Sequence, residues 1–244
     1  MAGMPECHEG LFSERVLSGD RAALEERLLE GWRLLAEQND PSGAEETIAP
    51  VIAANDPEFT PRAFYLAGLI REDAVAIDLF GKAFRSGEHD AAYPLGVLLA
   101  HEHRFEEAAV PLRMAARDAG NAEAACVLLA RVQLVLGDVE SARTATSAAL
   151  DAALHRRSAP GGTYVPVAGS EWFQLAVLLD EQGQGKLSAA CFDECALTGD
   201  VAVAETAAAN ARALRPRSRW WLRRGARRPV TGRALEADSP PAGG

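Results

Sequence analysis

The chain has 244 residues, which is enough for one sizeable core or for one continuous row of stacked repeats. Apolar residues make up 48% of the chain and aromatic residues 6%, a composition that favours helices over sheets. The sequence contains no run of 18 apolar residues and no apolar amino-terminal leader. It therefore predicts neither a membrane span nor a signal peptide, and we expect a cytoplasmic location.

At the amino end, residues 1–20 are predicted to be a partly disordered segment that precedes a helical domain over residues 21–214. A faint pair of helices opens this domain. Its periodic residues are Trp32 and Leu35 in the first helix and Ala44, Ile48 and Val51 in the second. Pro50 lies inside this second helix and Pro111 inside a later one, and each is predicted to kink or shorten its helix.

The clearest pattern in the chain is a recurrence in its middle. Leu95, Ala108, Leu112 and Ala115 are matched 34 residues later by Leu129, Ala142, Thr146 and Ala149. Spacings of four and three residues place a small, a large and a small side chain on one helix face, so that a neighbouring helix can approach closely. Weaker copies are Ala76, Phe80 and Ala83 upstream, and Leu175, Ser188, Phe192 and Cys195 downstream. A fixed period of this length is typical of stacked helix pairs.

The last copy is displaced by a stretch rich in Gly, Pro and Ser over residues 155–169. This stretch is predicted to be a loop insertion, in which residues 163–167 show the best case for a strand. Shorter turns are predicted at residues 55–57, 87–90, 120–121, 137–138 and 199–200.

These periodic residues resemble the tetratricopeptide repeat family and, less closely, its Sel1-like relatives, over roughly residues 23–214. The resemblance implies an all-α fold, a right-handed α-solenoid of about four to five helix-turn-helix repeats. It also implies a non-catalytic scaffold or adaptor, which binds a peptide or a helix of a partner protein in a concave groove lined by the first helix of each pair.

Carrying the groove positions of the family onto this chain gives an apolar and aromatic set with two guanidinium groups. Such a surface suits a partner segment that buries a few large side chains and pairs an acid with one of the two arginines. The alternative is that the set packs against neighbouring repeats or against residues 12–17. The predicted residues are Phe64, Arg71, Tyr93, Val97, His101, Val127, Arg131, Leu134, Phe173 and Val177.

Charge is distributed unevenly along the chain. Residues 1–211 carry 16 Lys and Arg against 33 Asp and Glu, a net charge of −17, whereas residues 212–233 carry nine Arg and no acid. The acidic part is expected to repel nucleic acid and anionic membranes. Residues 215–244 are predicted to be a basic and then disordered tail.

The tail supports two alternative functions. It could tether the protein to an anionic membrane or to nucleic acid, or it could fold back onto the acidic part of its own chain. A further alternative is a structural subunit that forms a homo-oligomer. The predicted contact residues of the tail are Arg217, Arg219, Trp220, Trp221, Arg223 and Arg224.

No motif predicts an enzyme, a cofactor or a metal site. The sequence over residues 183–188 lacks the first Gly and the Ser or Thr of a phosphate-binding loop, and residues 101–103 lack the spacing of a helical zinc site. Both are predicted to be turns between helices. The four cysteines, Cys7, Cys126, Cys191 and Cys195, are not predicted to form a metal site, and burial as small apolar side chains is expected.

Overall fold

The computed structural model describes residues 9–71, 73–158, 164, 167–198 and 201–214. The chain divides between Leu98 and Leu99 into two compact units, which we call unit 1 (Met1–Leu98) and unit 2 (Leu99–Gly244). Within the described ranges every regular element is a helix. The fold is therefore all-α, as the composition and the periodicity predict, whereas the predicted strand over residues 163–167 lies almost entirely outside the described residues.

Unit 1 contains two successive pairs of helices and a single-turn 3-10 helix. Helix α1 packs against α2 and α3, α2 packs against α3, and α3 packs against α4. Helix α5 begins in unit 1 and ends in unit 2. The bounds are α1 (Glu9–Ala36), α2 (Pro41–Ala54), α3 (Thr60–Ile70), α4 (Asp73–Arg85), the 3-10 helix (His89–Ala91) and α5 (Ala92–His101).

Unit 2 continues the alternation of helices. Helix α7 packs against α6, α8 and α9, and α10 packs against α8, α9 and α11. Each of these helices thus contacts both its chain neighbour and a helix two positions away, which is the arrangement of stacked helix pairs. The bounds are α6 (Phe105–Ala115), α7 (Ala122–Val135), α8 (Val139–Ser158), α9 (Gly169–Glu181), α10 (Gly185–Leu197) and α11 (Val201–Leu214).

The periodic small–large–small triplets form the core of both units. Every member of the five copies is buried, including the two polar variants, Thr146 and Ser188. The Thr146 hydroxyl donates a hydrogen bond to the Ala142 carbonyl (2.8 Å) and the Ser188 hydroxyl to the Ala176 carbonyl (2.7 Å). Because both hydroxyls are satisfied, Thr146 replaces the large apolar residue of its triplet, and Ser188 the first small one, without an unpaired buried group.

Two glycines of unit 1 allow helices to approach closely. A Cβ atom added at Gly68 on α3 would lie 2.7 Å from the Phe80 ring on α4, and one added at Gly31 on α1 would lie 2.6 Å from Ile48 on α2. Such distances are too short for any side chain larger than hydrogen. The small residues of the pattern therefore act as contact points for the neighbouring helix.

The predicted helix limits differ from the structure at two helices, α1 and α8. Helix α1 already includes residues 9–20, and α8 extends to Ser158, four residues into the predicted loop over residues 155–169. Helices α2 and α6 continue past Pro50 and Pro111, to Ala54 and Ala115. A proline removes one backbone donor and crowds the preceding turn, and packing of the surrounding triplets outweighs that cost in both helices.

The turns between helices lie where the sequence predicts them, apart from residues 199–200, which lie outside the described residues. Asn55 ends α2 in the left-handed conformation (φ 53°), and Gly137 does the same between α7 and α8 (φ 80°). Residues 102–103 form the turn after α5, and residues 182–184 join α9 to α10. The predicted turns over residues 101–103 and 183–188 are thus confirmed only in part, because His101 still belongs to α5 and α10 already begins at Gly185.

Candidate partner-binding surfaces

The predicted groove residues fall in both units. Phe64, Arg71, Tyr93 and Val97 lie in unit 1, and the other six lie in unit 2. The surroundings of these side chains differ between the units.

In unit 2, three of the predicted groove residues belong to the core. Val127, Leu134 and Phe173 are 1%, 6% and 9% exposed, and the Phe173 ring meets the Phe192 ring edge-on at 5.2 Å. These three side chains offer little accessible surface to a partner. Val177 is half-buried and His101 is exposed at the end of α5.

The two predicted guanidinium groups have carboxylate partners within their own units. Arg131 on α7 pairs with Glu171 on α9, and Arg71 at the end of α3 pairs with Glu45 on α2. Contact with an acidic group of a partner would therefore have to displace an ion pair that already exists.

The remaining predicted residues of unit 1 keep part of their surface accessible. Phe64, Tyr93 and Val97 are half-buried. The Lys82 ammonium lies 5.6 Å from the centroid of the Phe64 ring, a distance at which a cation is attracted to an aromatic face. Residues 215–244, which include all the predicted tail contacts, lie outside the described residues.

Unit 1 also contains a surface cleft between α1, α3 and the 3-10 helix, with a volume of about 280 Å³. We call it the α1–α3 cleft. Leu29 and Trp32 on α1 are 64% and 40% exposed there, although both are large and apolar. The full lining is Glu25, Leu28, Leu29, Trp32, Phe59, Arg62, Tyr65, Glu88 and Asp90.

A row of aromatic rings connects this cleft to the core. The Trp32 and Tyr65 rings are 6.0 Å apart and tilted by 49°, and the Tyr65 and Phe80 rings are 5.8 Å apart. Phe80 is buried. The Tyr65 ring therefore packs between the exposed indole of Trp32 and the buried ring of Phe80, in the tilted arrangements that aromatic pairs favour.

Carboxylates dominate the rim of the cleft. The described lining contains the three carboxylates of Glu25, Glu88 and Asp90 and one guanidinium, that of Arg62. The Nε of Arg62 lies 3.6 Å from a carboxylate oxygen of Glu88. Burial raises the pKa of Tyr65 above its ordinary value, and the negative charges of Asp90 and Glu88 raise it further. The Tyr65 hydroxyl thus lies in a negative field and stays protonated near neutral pH.

The sequence prediction includes Phe64 but not Tyr65, and it assigns Trp32 to a repeat but not to the groove. The reason is an ambiguous register, because the copy around Phe80 precedes the best copy by 32 residues rather than 34. A shift of one residue on a helix turns a side chain by about 100°. The adjacent exposed Leu29 and Trp32, three residues apart on one helix face, are a signal that could have indicated the cleft.

The described residues do not bring together three or more potential metal ligands. Cys126 and Cys191 are buried, and burial raises the pKa of both thiols, which disfavours the reactive thiolate. A wider cleft of unit 2, about 750 Å³, is lined in part by residues 183–187, which are the end of the turn before α10 and the first residues of α10. None of the helices in the described part of the chain has the length and apolar content needed to cross a bilayer.

The fold and these surfaces define an all-α protein built from helical repeats. A solved structure that is similar to this chain is the MamA RS-1 ArsTM double mutant, a protein with tetratricopeptide repeats, at a TM-score of 0.53 and 16% identity. The similarity covers 71% of this chain and 92% of that one. No protein-family model matches the chain, and no curated protein matches it. The resemblance to tetratricopeptide repeats is therefore supported at the level of the fold.

Proposed function

We propose that the chain is a non-catalytic scaffold for protein interactions, and that the α1–α3 cleft of unit 1 binds a segment of a partner protein. The observation that carries this proposal is the exposure of Leu29 and Trp32 beside the fixed ring of Tyr65. Scattered exposed apolar residues are common on protein surfaces. A leucine and a tryptophan that line one concave cleft are typical of an interaction site.

The size of the cleft favours a protein segment over a small molecule. Its volume of about 280 Å³ lies just below the range usual for small-molecule pockets, roughly 300–1,000 Å³. A cleft of this size can accept one or two large side chains of a peptide or a helix, whose remaining residues lie across α1 and α3. Phe64, which lies next to Tyr65 on α3, is a candidate for such outer contacts.

The chemistry of the lining supports a role without catalysis. Its polar members are three carboxylates, one arginine and the Tyr65 hydroxyl. An activated nucleophile needs a neighbouring base or a lowered pKa, and the pKa of Tyr65 is raised instead. We further propose a reducing, cytoplasmic environment, supported by the free cysteines Cys126 and Cys191 in the described part of unit 2.

Photo-cross-linking in the native cell tests the proposal. A photoreactive amino acid at position 29 is expected to cross-link the full chain to a discrete partner. The matched control carries the same group at position 154, since Leu154 is also an exposed helical leucine (56% against 64% for Leu29). Adding Trp32→Ala to the position-29 variant is expected to remove most of the cross-link.

Two results would contradict the proposed function. Equal cross-linking from positions 29 and 154 would indicate random collision. Failure of position 29 to form any discrete product, in a chain that keeps its helical circular dichroism, would show that the cleft has no protein partner.

A further inference from the structure

We infer that the α1–α3 cleft recognises a cationic aromatic segment, in which arginine or lysine side chains flank an aromatic or large aliphatic side chain of a second protein. This inference rests on the proposed function and names the class of its partner. Three features of unit 1 support it: the charge of the rim, the exposed indole, and two contacts that the chain already makes nearby.

The negative charge of the rim favours a partner segment with positive charge. Glu25 and Asp90 line the cleft together with Glu88, whereas Arg62 is the only cation among the described residues of the lining and already lies beside Glu88. The rest of residues 1–211 carries a large excess of acid. Complementary charge speeds association and disfavours wrong partners, so an acidic or phosphorylated segment would be repelled and a basic one attracted.

The exposed Trp32 provides the second element of recognition. Its indole is 40% exposed and is held by Tyr65 at a ring distance of 6.0 Å. An arginine can stack on an indole face while it donates hydrogen bonds to a nearby carboxylate, and an aromatic side chain can pack against the same ring. Leu29 extends this apolar surface by one helical turn on α1.

Unit 1 already makes the same kind of contact at two places. The Arg21 guanidinium lies 5.6 Å from the centroid of the Phe59 ring, and the Lys82 ammonium lies 5.6 Å from that of Phe64. Arg21 also pairs with Asp56 (3.6 Å) and Glu58. Phe59 lines the cleft itself, so the chain shows next to it a cation placed over a ring and between carboxylates. An incoming arginine over Trp32 and beside Glu25 or Asp90 would repeat this arrangement.

The probe is a fluorescein-labelled octapeptide, Arg-Ser-Arg-Trp-Trp-Leu-Arg-Arg, which has the required chemistry and the sequence of residues 217–224. Its binding to the full chain is measured by fluorescence anisotropy at low salt. We expect saturable binding that weakens as salt is raised. A peptide with glutamates in place of its arginines is expected not to bind.

Variants of the cleft locate the binding. Trp32→Ala is expected to weaken binding of the peptide about tenfold or more, because it removes the central aromatic anchor. The double change Glu25→Gln with Asp90→Asn is expected to weaken binding of the peptide by about tenfold and to reduce the salt dependence of that binding. The matched control is Glu102→Gln with Glu106→Gln in unit 2, which removes the same charge from exposed positions and is expected to change the affinity by less than about twofold.

The outcomes separate the inference from the proposed function. Equal losses in the cleft variants and in the control would overturn the inference, because binding would then be non-specific. A large gain in peptide affinity on Trp220→Ala with Trp221→Ala in the full chain would assign the cleft to the chain's own segment and overturn a second protein as its occupant. A cross-linked partner at position 29 without any peptide binding would overturn the cationic class alone and leave the proposed function standing.

Discussion

Unit 1 and unit 2 bury the same repeating triplets and use their first helices differently. In unit 1 the aromatic row Trp32–Tyr65–Phe80 extends from the core to the surface. In unit 2 the aromatic residues of the corresponding helices are buried, with Trp172 at 0% and Phe173 at 9% exposure. The period therefore determines which face of each second helix forms the core. The period does not determine whether the first helix of a pair binds a partner or completes that core.

The ion pairs follow the same division. In unit 2, Arg156 on α8 makes two hydrogen bonds, of 2.6 and 3.1 Å, to the carboxylate of Glu123, whose side chain is 5% exposed. In unit 1, the Arg71–Glu45 pair is about half exposed on both sides. These two ion pairs therefore differ in burial, since the Glu123 carboxylate lies in the interior of unit 2 and the Arg71–Glu45 pair lies at the surface of unit 1.

The largest expected effect is on the core of unit 2. Phe192→Ala removes a side chain that is 0% exposed and is expected to lower the free energy of unfolding by about 3–5 kcal/mol. Trp32→Ala in unit 1 removes a larger but 40% exposed side chain and is expected to cost less than about 1.5 kcal/mol. Chemical denaturation measures both. Similar losses of unfolding free energy for the two variants would contradict the contrast between the buried Phe192 of unit 2 and the exposed Trp32 of unit 1.

A second contrast concerns the buried and exposed ion pairs. Glu123→Gln leaves the Arg156 guanidinium without its charged partner, and the free energy of unfolding is expected to fall by about 1.5–3 kcal/mol. The same change at the exposed Glu45 is expected to cost less than about 1 kcal/mol. Raising the salt concentration is expected to reduce the cost of Glu45→Gln more strongly than the cost of Glu123→Gln. An equal cost at both positions would show that burial of Glu123 adds nothing.

A third pair of variants tests close helix approach. Gly68→Ala forces a Cβ against the Phe80 ring and is expected to cost about 1–3 kcal/mol of unfolding free energy, reduced by the better helix propensity of alanine. At Gly185, the first residue of α10, an added Cβ meets no atom within 4 Å. Gly185→Ala is therefore expected to be neutral or slightly stabilising in the same denaturation assay. A stabilising Gly68→Ala would contradict the proposed contact role of the small residues.

The smallest expected effect concerns the start of α8. The pKa of Asp138 is lowered by a hydrogen bond from the Ser141 side chain and by a second one from the Ser141 backbone N–H (3.1 Å). Because its folded pKa lies below the unfolded one, Asp138 stabilises the fold above the unfolded pKa. That contribution is lost as the pH falls through the lowered folded pKa.

Unfolding of parent and Asp138→Ala across the acidic range tests this sign. The stability difference between the two chains should shrink as the pH falls. A difference that grows towards acid would contradict the capping role of Asp138.

The sequence predicts the fold well because helix period and small-residue contacts are local signals. The spacing of Ala108, Leu112 and Ala115 is enough to identify one buried face, and four other copies repeat it. The candidate site is harder to predict, since it depends on the register of first helices whose repeats vary in length. This is why the prediction included the buried Val127 and did not include the cleft residue Tyr65. No periodic signal could show that Arg71 and Arg131 have carboxylate partners within their own units.

Hydrogen exchange of the full chain, with and without a saturating amount of the octapeptide, tests most directly whether recognition belongs to unit 1. We expect slower exchange in residues 20–36 and 59–66, around the α1–α3 cleft, with α7 and α9 unchanged. Slower exchange confined to α7 and α9, or no change in α1 and α3 at saturation, would contradict it.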